Sequence, residues 1–337
     1  MPGDYGHDWT DEELEKLEKR IARVYRQASK DMQKTIEDYF ARFVERDQKM
    51  RSLIGTTQNG KKWTEEDYKQ WRLNQFGRGE RYQHLRDQLA ERATKANEVA
   101  NAYINDLTPS VYSLNRNYAA YTIERVSGNV GFTLWDESTV RRLLVKQPDL
   151  MPYYPLERAI KRGIDLAWGK KQITNTITSA ILRGLSIKGI SEELRTRVPE
   201  MGLSSSIRAA RTAITSAENA GRMDSYKAAS DMGIKVRKRW VATKDGRTRH
   251  AHRRLDGQTV DWDESFSSEL GKIRYPGDPR AKPANLYNCR CGLRTVENPG
   301  IEAETRKMRV KDPKTGRNVV VNEMTYDEWE RWVKSRA

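Results

Sequence analysis

Apolar side chains recur at steps of three and four residues near the N-terminus, and this spacing constrains the fold more than any other feature of the chain. The stripe consists of Leu14, Leu17, Ile21, Val24, Ala28, Met32, Ile36, Tyr39 and Phe43. Such a period places all of them on one face of a single long α-helix. Thr10 and Glu13 have the spacing of a capping box, so we expect the helix to begin there and to end near the segment IGTTQNGKK. One helix cannot bury this face by itself, which favours docking onto other proteins.

Further helical segments follow, and each has its own start or stop signal. A second helix is predicted to begin after Thr64 and to break at the segment GRGE, and a third to stop at Pro109. A stretch with three prolines, VKQPDLMPYYP, marks the best boundary. Beyond it we expect an apolar helical stripe, a short helix from Ser191 to Pro199, and an alanine-rich helix that is capped by serines and closed by Gly233.

The pattern changes at residue 234. The segments IKVRKRWVAT, QTVDWDESF and NCRCGLRTV alternate as strands do, and RTRHAHRRL fits one or two helical turns. The predicted fold class is therefore α+β, with long N-terminal helices before a small mixed core. We divide the chain into a helical docking or spacer region (1–150), a helical segment (155–232), a small α+β core (233–298) and a tail with a hairpin and a helix (299–337).

The formal charge of +15 is concentrated in the C-terminal half. Residues 1–150 hold 25 Lys and Arg against 24 Asp and Glu, whereas residues 151–337 hold the remaining 37 and 23. The densest cluster consists of Lys235, Arg237, Lys238, Arg239, Lys244, Arg247, Arg249, Arg253 and Arg254. A run with so few acidic neighbours repels itself, and it favours a surface for polyanions such as double-stranded DNA. No apolar run approaches the length of a membrane span, and we expect a soluble intracellular protein.

The two cysteines of the chain, Cys289 and Cys291, lie two positions apart behind a proline-rich turn. Residues this close are a poor disulfide pair. On a strand they would present both thiols to one face, where one histidine and one acid would complete a tetrahedral zinc site. The candidates for these positions are His250, His252, Asp245 and Asp256. A regular helix would let only one of the two histidines point at the metal. In the alternative interpretation, the cysteines are small buried apolar residues and no metal is bound.

The same region resembles a known family. The segment WVATKDGRTRHAHRRLDGQTV, the following Phe266 and the segment YPGDPRAKPANLYNCRCGL are together similar to the Mu F-like head-morphogenesis proteins of tailed bacteriophages. The matching positions are Trp240, Asp245, Arg247, Thr248, Arg249, His252, Asp256, Gly257, Phe266, Pro276, Gly277, Asp278, Pro279 and Asn288 to Cys291. A helix led by Arg211 and Thr212 resembles the segment that precedes this core, so the resemblance covers residues 155–296.

The resemblance implies a structural minor capsid protein that is made in the host cytoplasm and packed inside the phage head near the portal. It implies contacts with the portal, major capsid and scaffold proteins and with packaged DNA. It also implies that His252, Cys289 and Cys291 form one set, which a structural zinc ion would suit. The residues themselves show no evident catalytic pair.

Two enzymatic alternatives remain open. A metal-dependent nuclease would gather His250, His252, Asp245 and Asp256 around a metal beside the DNA-binding surface. An ADP-ribosyltransferase is the second alternative, because such domains occur fused to Mu F-like domains. The segments that would serve it are the serines at 204–206 and Glu302-Ala303-Glu304. The serines are better explained as a helix N-cap and the glutamates as part of a polar linker.

Overall fold

The apolar stripe near the N-terminus forms one continuous helix, as its spacing predicts. A computed structural model describes residues 4–127, 131–162, 165–243, 247–296, 307–311, 318–322, 331–332 and 334–335. The helices are α1 (Tyr5–Ser52), α2 (Glu65–Arg78), α3 (Glu80–Ser127), α4 (Glu137–Lys146), α5 (Leu156–Arg162), α6 (Leu166–Leu182), α7 (Ile187–Asp231), α8 (His250–Leu255) and α9 (Pro283–Leu286). The strands are β1 (Thr57–Gln58), β2 (Lys61–Lys62), β3 (Arg237–Val241), β4 (Thr259–Asp261), β5 (Phe266–Ser268), β6 (Gly271–Ile273), β7 (Gly292–Val296), β8 (Lys307–Lys311) and β9 (Asn318–Asn322). Long helices precede small antiparallel sheets, so the predicted α+β class is confirmed.

The chain folds into two compact units, and each unit is built from separated stretches of sequence. The first comprises Met1–Leu17, Ile104–Leu156 and Arg208–Ala337, and the second comprises Glu18–Tyr103 and Glu157–Ile207. Helices α1, α3 and α7 each contribute to both units. The helical region predicted for residues 1–150 thus supplies segments to both.

The core of the second unit buries the C-terminal part of the apolar stripe of α1, and Leu14, Leu17 and Ile21 of the stripe are buried as well. The buried side chains include Met32, Ile36, Phe40 and Phe43 of α1, Leu85 and Leu89 of α3, Ile173 and Ile177 of α6, and Ile190 and Leu194 of α7. Burying a large apolar side chain contributes about 1.5–3 kcal/mol. Since other helices of the same chain cover the stripe, the inference that it is free to dock onto other proteins is wrong.

The N-terminus of α1 lies ahead of its predicted start. The helix begins at Tyr5, and Oδ1 of Asp4 accepts a hydrogen bond from the backbone N–H of His7 (3.0 Å), which is how an N-cap residue acts. Thr10 lies inside the helix, where its hydroxyl donates to the carbonyl of Gly6 (2.7 Å). The predicted capping box at Thr10 is therefore wrong. The predicted helix start after Thr64 is confirmed, because the Thr64 side chain caps α2.

Two prolines lie inside helices that they were expected to end. Helix α3 continues through Pro109 and α7 through Pro199. A proline in a helix interior removes one backbone hydrogen bond and costs about 3 kcal/mol. Tertiary packing outweighs this cost, since Ile104 and Val111 near Pro109 and Val198 next to Pro199 are fully buried. Both predicted stops are wrong.

Helix α7 begins earlier than predicted and joins the two helices that were predicted separately. Ser191 and the serines at 204–206 lie within α7, and Ser186 caps it by accepting a hydrogen bond from the backbone N–H of Gly189 (3.2 Å). The predicted end is confirmed, because Gly233 follows the helix with a φ of 82°. The small residues of α7 permit a close helix contact in the first unit. A Cβ on Gly221 would lie 2.4 Å from the carbonyl oxygen of Tyr112 in α3.

The C-terminal part of the first unit holds the predicted α+β core. Strand β3 is the centre of a three-stranded antiparallel sheet with the order β4-β3-β7, and β5 and β6 form a separate hairpin. Trp240 of β3, Phe266 of β5 and Leu293 of β7 are fully buried. In the tail, β8 pairs with β9, which confirms the predicted hairpin. The predicted tail helix begins at Thr325, which lies outside the described residues.

Candidate functional site

The three predicted metal ligands come from two short elements of the α+β core. His252 lies in α8, and both cysteines lie in the loop that leads from α9 into β7. The carbonyls of this loop are held by α7: the Thr215 hydroxyl donates to the carbonyl of Cys289 (2.7 Å), and the Asn219 side-chain amide donates to that of Cys291 (3.3 Å). The loop is therefore fixed by the same helix that supports the sheet.

His252, Cys289 and Cys291 converge on one point. Their potential ligand atoms all lie within 4.8 Å of one another, and each residue is at most 3% exposed. Nδ1 of His252 lies 3.4 Å from Sγ of Cys289 and 3.7 Å from Sγ of Cys291. The Trp240 ring lies edge-on to the imidazole, with ring centroids 5.1 Å apart. We call these three residues the Cys2His cluster.

Neighbouring hydrogen bonds fix the tautomer of His252. Nε2 of His252 lies 2.8 Å from Oδ1 of Asn285. The amide nitrogen of Asn285 donates to the carbonyl of Gly271 (3.3 Å), which directs its Oδ1 towards the imidazole. Since Oδ1 only accepts, Nε2 carries the proton and donates. Nδ1 is therefore the ring nitrogen that faces the two sulfur atoms.

The pKa values of the two thiols are shifted in opposite directions. A hydrogen bond from Cys289 stabilises the thiolate of Cys291 and, against the effect of burial, lowers the pKa of Cys291 to about 5. The same hydrogen bond, together with burial, raises the pKa of Cys289 well above its ordinary value. Both cysteines thus lie beside Nδ1 of His252 and differ in how readily they lose a proton.

Of the other predicted metal ligands, the two that the structure describes, His250 and Asp256, do not join the cluster. His250 is exposed, and its Nδ1 lies 3.4 Å from a carboxylate oxygen of Glu269. The Asp256 carboxylate accepts a hydrogen bond from the backbone N–H of Ala242 (2.9 Å). Asp245 lies outside the described residues. The expectation that only one histidine of the HAH segment can face the cysteines is confirmed, and that histidine is His252.

Most of the predicted basic residues are exposed. Those with exposed side chains are Lys235, Arg237, Arg239, Arg247, Arg253 and Arg254. Two of them lie near acidic groups: Arg237 Nε is 3.2 Å from Asp261, and Arg254 donates to Glu269 at 2.8 Å. Arg249 is half-buried and donates to two backbone carbonyls, that of Ala284 in α9 and that of Tyr287, which follows α9. Lys244 lies outside the described residues.

Lys238 was predicted to belong to the basic surface, and this prediction is wrong. Its side chain is buried on the inner face of β3, where its ammonium group donates to the carbonyl of Trp262 (2.6 Å). Burial disfavours the charge and lowers the pKa of Lys238 to about 8. Alternation along β3 places Lys238 and Trp240 on one face and Arg237 and Arg239 on the other. Lys238 therefore has a structural role inside the core.

Arg294 extends the exposed basic face and was not in the predicted set. It lies in β7 directly opposite Arg239 of β3, and both side chains are exposed. We call Arg237, Arg239 and Arg294 the basic sheet face. Alternation in the NCRCGLRTV segment indicates that Arg294 lies on one face of a strand. Only the pairing of β3 with β7 shows that this face is shared with Arg239.

Comparison with known proteins places the chain in the Mu F-like class of phage head proteins. The family described as "Phage Mu protein F like protein" matches residues 171–294, a range that contains the Cys2His cluster and the basic sheet face. The chain belongs to this family, as the resemblance in its sequence predicts.

Two relatives show how far the likeness extends. The chain is 30% identical over 238 residues to the "Minor head protein GP7" of Bacillus phage SPP1, an alignment that covers 69% of this chain and 72% of that protein. It is also 29% identical over 160 residues to "NAD(+)--arginine ADP-ribosyltransferase EFV" of Enterococcus faecalis. That alignment covers 47% of this chain but only 31% of the enzyme. No solved structure was found to match the chain.

Proposed function

We propose that this chain is a structural minor head protein that binds portal or capsid proteins inside the head and contacts packaged DNA through its basic sheet face. The observation that carries the proposal is its 30% identity, over most of both chains, to a protein named as a minor head protein. The contacts with portal and scaffold proteins rest on this relationship and use the polar outer faces of the helices, because the apolar stripe of α1 is buried.

The DNA contact is argued from charge. Arg239 and Arg294 are directly opposed on neighbouring strands, an arrangement of like charges that is destabilising by itself. A polyanion lying across the sheet would neutralise both guanidinium groups. Phosphate contacts of this kind are independent of base sequence. Lys235, Arg247 and Arg253 supply further exposed cations in the same unit.

Neither enzymatic alternative has an assembled site among the described residues. The described members of the nuclease set are dispersed, and His252 is 1% exposed, so a DNA phosphate has no access to it. For the transferase, the serines at 204–206 lie within α7, and Glu302 and Glu304 fall outside the described residues. We therefore infer a non-enzymatic role. Among the described residues, no helix has the length and apolar character needed to cross a membrane.

The DNA contact predicts a steep dependence on salt. If about five exposed cations meet phosphates, the logarithm of the binding constant falls with the logarithm of salt concentration at a slope of about −4 to −5. We expect the full-length chain to bind double-stranded DNA of unrelated sequences with similar affinity. Replacing both Arg239 and Arg294 by Glu should weaken binding and reduce the magnitude of the slope by about 2. Fluorescence anisotropy over a salt series measures both quantities.

The matched control is the double variant Lys30→Glu and Lys34→Glu, which makes the same change in net charge at two exposed positions of α1. This control should keep the slope of the unmodified protein. Equal losses in both double variants would show that binding follows net charge alone, and affinity that does not change with salt would contradict the DNA contact.

A further inference from the structure

The Cys2His cluster has the composition and spacing of a metal site that is built into the core. Zinc bonds of about 2.3 Å to sulfur and about 2.0–2.1 Å to nitrogen, at tetrahedral angles, place sulfur and nitrogen ligand atoms about 3.6 Å apart. The two distances from Nδ1 of His252 to sulfur are 3.4 and 3.7 Å. An ion can therefore enter between these atoms with only small side-chain movements.

The surroundings prepare each ligand for a metal. Oδ1 of Asn285 accepts a hydrogen bond from Nε2, and Nδ1 faces the sulfur atoms. This is the outer hydrogen bond that metal-binding histidines make in known sites, where an acceptor on one ring nitrogen orients the other towards the ion. The carbonyls of both cysteines are held by side chains of α7, which fixes the loop.

We propose that His252, Cys289 and Cys291 bind one zinc ion, which joins α8 to the loop before β7 and stabilises the α+β core. Thiolate and imidazole ligands suit zinc, whereas calcium and magnesium require oxygen. The described residues provide three of the four ligands of a tetrahedral zinc site. The ion is structural, because the cluster is almost fully shielded from solvent.

Zinc at this position stabilises the folded chain, because the three ligands come together only when α8 and the loop are in place. Its removal should affect the region around Trp240, whose ring contacts the imidazole of His252. This inference does not depend on the role of the protein in the phage head. A metal-free chain could still bind DNA, and a zinc-bound chain could lack any DNA contact.

The first test is the metal content of the full-length chain, purified without a polyhistidine tag from zinc-supplemented cells. We expect inductively coupled plasma mass spectrometry to find about one zinc ion per chain. The variants His252→Ala, Cys289→Ser and Cys291→Ser should contain far less zinc. The matched control is His250→Ala, which removes the exposed histidine two positions away and should keep full zinc content.

A second measurement covers the case in which these variants fail to fold. The unmodified chain is treated with a chelator and then titrated with Co²⁺, whose bonds to thiolate sulfur give an intense absorption band in the near ultraviolet. We expect the band to saturate at about one ion per chain and to disappear when zinc is added. Chelation should also lower the midpoint of thermal unfolding, and zinc should restore it.

Two outcomes would overturn the zinc proposal. Folded, unmodified protein that holds no zinc after equilibration with the ion, and that shows no thiolate-to-cobalt band, would overturn the proposal. The cysteines and His252 would then form a buried hydrogen-bonded cluster and nothing more. Zinc that remains at full occupancy in all three ligand variants would also overturn it, since the ion would be bound elsewhere.

Discussion

Replacing Arg222 by Met is expected to destabilise the protein by about 3–5 kcal/mol, the cost of breaking a buried ion pair by removing one partner. Arg222 lies in α7, and its side chain is 2% exposed. Its guanidinium group donates to both carboxylate oxygens of Asp4 (2.9 and 2.7 Å), to the side-chain oxygen of Asn115 and to the carbonyl of Leu293 (2.9 Å). One side chain thus connects α1, α3, α7 and β7 within the first unit.

The loss follows from the groups that remain. Burial opposes the charge of Asp4, but the Arg222 guanidinium outweighs it and lowers the pKa of Asp4 to about 2. With Met at position 222, Asp4 keeps its buried carboxylate and loses its main partner. Glu218, whose Oε1 lies 3.6 Å from the same guanidinium, is affected as well.

Urea denaturation of the full-length chain measures the free energy of unfolding. The control is Lys227→Met on the same helix, which removes an exposed pair with Asp231 and should cost at most about 0.5 kcal/mol. In the Arg222→Met background, Asp4→Asn should recover part of the loss, because it removes the unpaired charge. Similar losses in Arg222→Met and Lys227→Met would contradict the proposed importance of the network.

A second large effect is expected from His7, which should make stability depend on pH above neutrality. Nδ1 of His7 lies 2.8 Å from a carboxylate oxygen of Glu218, and Nε2 lies 3.5 Å from one of Asp11. Burial disfavours the imidazolium and Arg222 repels it, but Glu218 and Asp11 outweigh both and raise the pKa of His7 from 6.5 to about 9. Each tenfold change in proton affinity corresponds to about 1.4 kcal/mol, so the protonated histidine contributes about 3 kcal/mol.

The direction of the effect follows from the raised pKa. The contribution of His7 is fully present below pH 6.5 and is lost as the pH rises towards about 9, because in this range the unfolded state has released the proton that the folded state still binds. The difference in unfolding free energy between the unmodified protein and His7→Gln should therefore shrink by about 3 kcal/mol across this window. The exposed His84, replaced by Gln, is the control and should give a flat difference. A flat curve for His7→Gln would contradict the assignment.

Both predictions concern the contacts between the start of α1 and α7. Asp4 and His7, at the start of α1, bind Arg222 and Glu218 of α7, which lead into the α+β core. A fragment that begins near residue 153 would leave these two α7 residues without their partners. Such a truncation therefore tests folding as well as docking, and point substitutions in the full-length chain are the better probes of partner binding.

Local signals in the sequence predicted the parts of the structure that depend on near neighbours. The cap at Thr64, the strand character of β3 and the turn of helix at α8 follow from residues a few positions apart. The Cys2His cluster followed from the resemblance and from ligand chemistry, and the structure brings its members together. The helical period predicted that only one of His250 and His252 can face the cysteines, and the resemblance named His252.

Long-range packing decided the features that the sequence did not reveal. Pro109 and Pro199 lie in continuous helices because contacts with other segments outweigh the local penalty. Lys238 is buried because β3 is the central strand and its inner face is covered. The role of Arg294 depends on strand pairing, and Asp4 caps α1 as part of a network that closes 218 positions away in sequence.

The most direct test of the proposed role is the protein content of assembled heads. The full-length chain is produced together with the portal, scaffold and major capsid proteins of the phage that encodes it, and heads are purified and analysed by quantitative mass spectrometry. We expect the chain to be present in heads that contain the portal, at a constant ratio to it, and to be strongly depleted from heads assembled without the portal. A chain that stays in the unassembled fraction while complete heads form would contradict its assignment as a structural component of the head.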